Sequence, residues 1–149
     1  MKKIVAIQGV RGAFHQEAAE QYFGNNIEIQ ECLTFRQLID SVESGEASHG
    51  IMAIENSLVG GILLNYALIR DSSLKITGEI YMRIEQNLIA SFGETLDTIC
   101  EVRSHPMAIA QCENFFKCRP SIKLIECEDT ALSAKQIADL KLRGIATVA

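Results

Sequence analysis

Three short segments carry residue types able to orient or protonate a small anionic molecule: Gly9-Val10-Arg11-Gly12-Ala13-Phe14, Glu55-Asn56-Ser57, and Ser104-His105-Pro106 followed by Gln111. Two glycines three residues apart let a turn bring backbone N–H groups close to an anion, and the same pair equally serves a tight turn and nothing more. The segment lacks the third glycine of a dinucleotide fingerprint and the Gly-Lys-Ser/Thr ending of a phosphate loop, which disfavours nucleotide cofactors. Asn56 can exchange hydrogen bonds with a carboxylate or hydroxyl, or satisfy its own turn; Ser57 can do the same or cap the following helix. Pro106 suits a first helical turn, so Ser104 is expected at a helix start, sharing one face with Ala108 and Gln111 across two turns. Gln111 also reads as an ordinary solvated helix residue. His105 has the chemistry of a general acid, but His15 and His49 stand at no metal-site spacing, so no metal is expected. No Gly-x-Ser-x-Gly pattern supports a serine nucleophile.

Residues so placed need strands and helices to present them. Lys3 to Gly9 is a β-branched apolar run closed by glycine, and His15 to Phe23 sets Ala18, Ala19, Tyr22 and Phe23 at helical spacing. Ile27 to Cys32 reads as a second strand, and Thr34 as the N-cap of a helix running to about Ser44, closed by Gly45. His49 to Ile54 reads as a third strand, leading through Glu55-Asn56-Ser57 into a helix that carries Ile62, Leu63, Tyr66, Leu68 and Ile69. Such alternation favours parallel sheet with helices on both faces. Ligands of such sheets gather beyond the carboxyl ends of the strands, where all three polar segments lie. From Leu74 the pattern changes: Lys75 to Ala90 is extended, and a second lobe is expected to follow, with helices over Pro106 to Phe116 and Ala131 to Leu140. Its strands are expected over Ile122 to Cys127 and Ile145 to Ala149. The expected division is 1–74 and 75–149. No repeat, low-complexity tract or proline-rich linker interrupts it.

Bulk properties narrow the function. With 48% hydrophobic and 22% charged residues the 149-residue chain is expected to fold. A net charge of -5 offers no basic field for a nucleic acid, so the expected partner is a small molecule. The apolar stretch after Met1-Lys2-Lys3 is too short for a signal peptide, and no run reaches the roughly 18–20 residues that cross a bilayer. A cytoplasmic protein without membrane contact is expected. The five cysteines, an odd number without a Cys-x-x-Cys pair, read as reduced thiols.

Together the segments resemble the motifs of prephenate dehydratases, which form phenylpyruvate on the route to phenylalanine. Gln8 to Phe14 resembles the family's opening glycine loop, Ile54-Glu55-Asn56-Ser57-Leu58-Val59-Gly60 its central motif, and Gly78-Glu79-Ile80 the entry to its second lobe. Ser104-His105-Pro106-Met107-Ala108 with Gln111-Cys112 resembles a second-lobe helix, and Asp129-Thr130-Ala131 a later helix start. The likeness implies a two-lobed α/β fold similar to type II periplasmic binding proteins, with prephenate held in the cleft between lobes and no cofactor. It implies Asn56, Ser104 and Gln111 as catalytic positions, with Gly12, Ala13, Glu55, Ser57, His105 and Thr130 in contact with substrate. A site of neutral donors suits a substrate with two carboxylates better than buried acids, which would repel it.

The chain departs from the family pattern at Ala13, where a hydroxyl residue is common, at Met107, where glutamine is common, and at Gln86, where histidine is common. It has no counterpart of the Thr-Arg-Phe motif and none of the regulatory domain of many relatives. The expectation is therefore a prephenate dehydratase, with activity of this chain by itself left open by the missing motif, and the alternative is a noncatalytic module of the same fold that binds a dicarboxylate or phenylalanine-like ligand. An unpaired sheet edge would favour self-association, so a homo-oligomer is expected.

Overall fold

A computed structural model describes residues 2–57, 60–128 and 130–149. The chain divides into two compact units, Met1–Arg83 and Ile84–Ala149.

The first unit opens with β1 (Lys3–Gln8), α1 (Phe14–Phe23), β2 (Ile27–Cys32), α2 (Phe35–Glu43) and β3 (His49–Ile51). The three strands form a parallel sheet in the order β2-β1-β3. The β-branched run of β1 is fully buried at Val5, Ala6 and Ile7, as a central strand covered on both faces requires. Alternation sends Val5 and Ile7 towards Ala19 of α1, and Ala6 towards Leu38 of α2, so the two helices cover opposite faces. Thr34 caps α2 as expected: its hydroxyl accepts from the Gln37 N–H at 3.1 Å while the Gln37 amide oxygen accepts from the Leu33 N–H at 2.8 Å.

After β3 the chain differs from the sequence expectation. The strand stops at Ile51 and does not run to Ile54, because β1 ends at Gln8 and leaves the following residues without a ladder partner. Glu55–Asn56 is instead a short strand, β4, paired antiparallel with β5 (Gly60–Gly61). Helix α3 (Leu63–Arg70) follows with Ile62 as its N-cap. Its buried residue is Asn65, whereas Leu63 and Leu64 are 79% and 80% exposed, which inverts the apolar face expected from the spacing.

The second unit contains β6 (Leu88–Ala90), β7 (Glu101–Ser104), α4 (Pro106–Gln111), α5 (Glu113–Lys117), β8 (Lys123–Glu126), α6 (Thr130–Leu140) and β9 (Ile145–Val148). Its sheet runs β6-β9-β7-β8, parallel except for the β6–β9 pair. Val102, Ala146 and Val148 face Ala108 of α4 and Phe116 of α5 in one core cluster. Thr147 points to the opposite face, where α6 packs on β6, β7 and β9 through the buried Ile137. The single helix expected over 106–116 is two helices broken at Cys112, whose N–H is shared between the Ala108 and Ile109 carbonyls. The fold class expected from the sequence, α/β with mostly parallel sheet, is the one observed. Strand order β8-β7-β9 with its two crossovers repeats the order β2-β1-β3 of the first unit, a recurrence of topology that no repeat in the sequence announces.

Candidate active site

In each unit the chain leaves the first strand towards one face and reaches the third strand from the other, which creates a switch point at the carboxyl ends of β1 and β3, and of β7 and β9. The candidate residues lie at these ends.

In the first unit Gly9 and Gly12 take φ of 101° and 92°, values that L side chains rarely adopt, so the turn depends on glycine although Gly12 has open space around it. The backbone donors of this loop are already engaged. The Arg11 N–H donates to Glu31 Oε1 at 2.9 Å, the Gly12 N–H to Gln16 Oε1 at 2.9 Å and the Ala13 N–H to the Val10 carbonyl at 3.1 Å. Of the two readings of this loop, the tight turn describes these bonds, and an anion bound here has to displace the Glu31 and Gln16 side chains. Ala13 is the N-cap of α1 and supplies no side-chain cap.

Glu55 and Asn56 lie on β4, the first exposed and the second half-buried, and Ser57 is exposed in the following turn. Ser57 is not the cap of α3, since that position belongs to Ile62. Leu58 and Val59 of the central motif lie outside the described residues. The residue that anchors this segment is Asn65, which the sequence reading missed: 2% exposed, it donates from Nδ2 to the Ala53 carbonyl at 2.7 Å. A lone amide inside an apolar helix was the available signal. Gly78-Glu79-Ile80 falls in the first unit, where the Tyr22 ring leaves no room for a side chain at Gly78.

In the second unit Ser104 is the last residue of β7 and not part of the helix, so it shares no helix face with Gln111. It is fully buried, and its hydroxyl donates to the Val148 carbonyl at 2.6 Å, joining the carboxyl ends of β7 and β9. His105 is the N-cap of α4; its Nδ1 accepts from the Met107 N–H at 3.2 Å, which leaves the neutral ring's proton on Nε2. Gln111, half-buried at the end of α4, accepts at Oε1 from Gln86 Nε2 at 2.7 Å. The Asn87–Ala149 backbone pair sets Gln86 beside the end of β9, so Gln86 belongs to this group although the sequence marks it only as a departure. Thr130 opens α6 and is half-buried; Asp129 before it lies outside the described residues. Burial raises the Cys112 thiol pKa beside Gln111, which keeps it protonated at neutral pH. A concavity of about 460 Å³ in the first unit is lined by Glu31, Asp40 and Glu46, charges that repel a dicarboxylate, and it contains none of the candidate residues. Among the described residues no group of three or more His, Cys, Asp or Glu side chains is arranged to hold a metal, and no helix is long and apolar enough to cross a membrane.

The prephenate dehydratase family model matches residues 5–149. The chain belongs to the prephenate dehydratase family. Among curated relatives it is 39% identical over 145 residues to arogenate dehydratase/prephenate dehydratase 2, chloroplastic, of Arabidopsis thaliana, a match covering 97% of this chain and 38% of that protein. Among solved structures, prephenate dehydratase in complex with L-Phe from Arthrobacter aurescens aligns with a TM-score of 0.85 and 25% identity, covering 97% of this chain and 49% of that one. The structure of GqqA, a novel type of quorum quenching acylase, aligns with a TM-score of 0.86 and 31% identity, covering 99% of this chain and 53% of that one. The chain thus spans 34–38% of the length of the curated prephenate and arogenate dehydratases it matches.

Proposed function

We propose that this chain carries the substrate-binding groups of a prephenate dehydratase, a carbon–oxygen lyase of phenylalanine biosynthesis, with residues 1–74 and 75–149 as its two lobes. Prephenate loses its ring carboxylate as carbon dioxide, the freed electron pair enters the ring, and the C4 hydroxyl departs as hydroxide that takes up one proton to become water. Aromatisation drives the step, so the protein has to orient the dianion and supply that proton.

The observation that carries the reading is the charge state of the groups at the carboxyl ends of the strands. Ser104, Gln111 and Gln86 in the second unit, and Asn56 and Ser57 in the first, are uncharged hydrogen-bonding groups, and the acid among the candidates, Glu55, is exposed. Uncharged groups set no buried like charge against a dianion, and Gln111, bonded to Gln86 through Oε1, keeps its Nε2 N–H groups for it. In this reading Asn56, Ser104 and Gln111 form the catalytic set. Gly12, Ala13, Glu55, Ser57, His105 and Thr130 line the substrate. A serine-based acylase reading, after the quorum quenching acylase relative, is not favoured: the Ser104 proton is committed to Val148 and His105 Nδ1 to Met107, so these neighbours form no nucleophile and base pair. An odd number of cysteines without a Cys-x-x-Cys pair suits a reducing compartment such as the cytoplasm, and the exposed Leu63 and Leu64 suit a homo-oligomer.

Calorimetric titration with prephenate, with phenylpyruvate followed by absorbance in the same sample, tests this. Heat of binding with product is the expected outcome for a complete site. Binding without product assigns the chain to the noncatalytic alternative, and neither binding nor product refutes the reading.

A further inference from the structure

The two glutamines of the second unit are bonded in one sense only. Gln86 Nε2 donates to Gln111 Oε1 at 2.7 Å, while Gln86 Oε1 is buried and accepts nothing. A buried amide oxygen without a donor is a cost that an apolar side chain of the same length would avoid, so the position is explained by its donor end. Engagement of Gln111 at its oxygen has a direct consequence. The end of Gln111 left for a ligand is Nε2 with its two N–H groups, which has no partner among the described residues and is not enclosed.

We infer that Gln86 is a positioning residue: by donating to Gln111 Oε1 it fixes the amide with its N–H end outward, so that Gln111 selects an oxygen acceptor of the ligand, a carboxylate, carbonyl or hydroxyl oxygen, and rejects a donor. This rests on the function proposed above and specifies how one of its residues works. Without Gln86 the Gln111 amide rotates freely and meets the ligand oxygen with either end. The departure from histidine at this position keeps the polarity, because a neutral imidazole N–H donates as an amide N–H does.

The test is the affinity for prephenate, by calorimetry at one pH, of the wild type, Gln86→Met, Gln86→His, Gln111→Met and the Gln86→Met/Gln111→Met double variant, each checked by thermal melting. Methionine keeps the length and removes the donor without adding charge. Q86M is expected to weaken binding about 3- to 10-fold, the scale of one oriented hydrogen bond. Q86H is expected within about twofold of wild type, and Q86M should cost nothing further in the Q111M background, since it acts through that residue. If Q86M does not fold, Gln86→Asn, too short to reach Gln111, is expected to show the same loss. Wild-type affinity in Q86M or Q86N, or an equal loss with and without Gln111, overturns the positioning role and leaves the functional reading standing. A wild-type chain that neither binds nor converts prephenate overturns both.

Discussion

Replacing Ser104 with alanine separates a structural hydroxyl from a catalytic one. The side chain is fully buried, and its one proton goes to the Val148 carbonyl at 2.6 Å, tying two neighbouring strands at their carboxyl ends. Alanine keeps the shape except for one oxygen and leaves a buried carbonyl without that donor, a loss of about 1–2 kcal/mol. A domain the size of the second unit loses about 4–8 °C in Tm per kcal/mol, so S104A should melt roughly 4–16 °C lower by far-UV circular dichroism. The three tyrosines, Tyr22, Tyr66 and Tyr81, all lie in the first unit, and their fluorescence melt serves as a control for its integrity. Prephenate affinity of the folded variant should fall by less than its stability implies, because the hydroxyl can offer a ligand only an acceptor lone pair. An unchanged melting curve would refute this reasoning, because it would show that the Ser104–Val148 bond does not hold the strand ends together.

Two further outcomes follow from other regions. Glu94 accepts hydrogen bonds from Thr98 Oγ1 and Arg143, contacts that hold its carboxyl below the ordinary value of 4.5, with Thr98 the larger cause. A depressed folded pKa means stabilisation that is complete above the ordinary value and lost as pH falls through the folded one; Glu94→Gln should therefore melt lower than wild type near neutral pH, and the gap should close in acid, whereas a gap that persists at about pH 2 excludes this origin. Leu63 and Leu64 stand side by side, 79% and 80% exposed, so Leu63→Ser with Leu64→Ser should reduce self-association measured by light scattering, and an unchanged mass would move the contact elsewhere.

What the sequence disclosed was governed by periodicity and by local caps. β2 runs from Ile27 to Cys32 as expected, because alternating Ile27 and Ile29 leave no other register, and Thr34 with Gln37 marks the start of α2 through a local bond. Elements stabilised by tertiary partners were illegible. Glu101-Val102-Arg103-Ser104 looks too charged for an interior strand, yet Arg103 neutralises Glu101 at 2.7 Å on one face and Val102 and Ser104 bury on the other. Glu55-Asn56 and Gly60-Gly61 contain no β-branched residue, and their pairing depends on the hairpin that joins them. For the site, residue types were readable and bond directions were not. Glu31 and Gln16 engage the glycine loop from β2 and α1, and Gln86 reaches Gln111 across 25 residues, pairings that only the fold creates.

The recurrence of one strand order in both units explains why their polar segments fall at equivalent places and yet differ in readiness for a ligand. Each first strand ends where the neighbouring third strand also ends, and residues beyond those ends lose their ladder partners, so polar side chains or a ligand must satisfy the backbone there. The first unit satisfies it internally: a carboxylate and an amide, Glu31 and Gln16, hold the loop N–H groups, so a ligand carboxylate gains only by exchange for groups of the same kind. In the second unit the strand ends are closed by Ser104 and by the Asn87–Ala149 pair, and the Gln111 amide is left over with its donor end open. A preorganised donor that needs no exchange contributes more to affinity than one that must first be released. The larger effects of substitution on prephenate binding are therefore expected at Gln111 and at the residue that orients it.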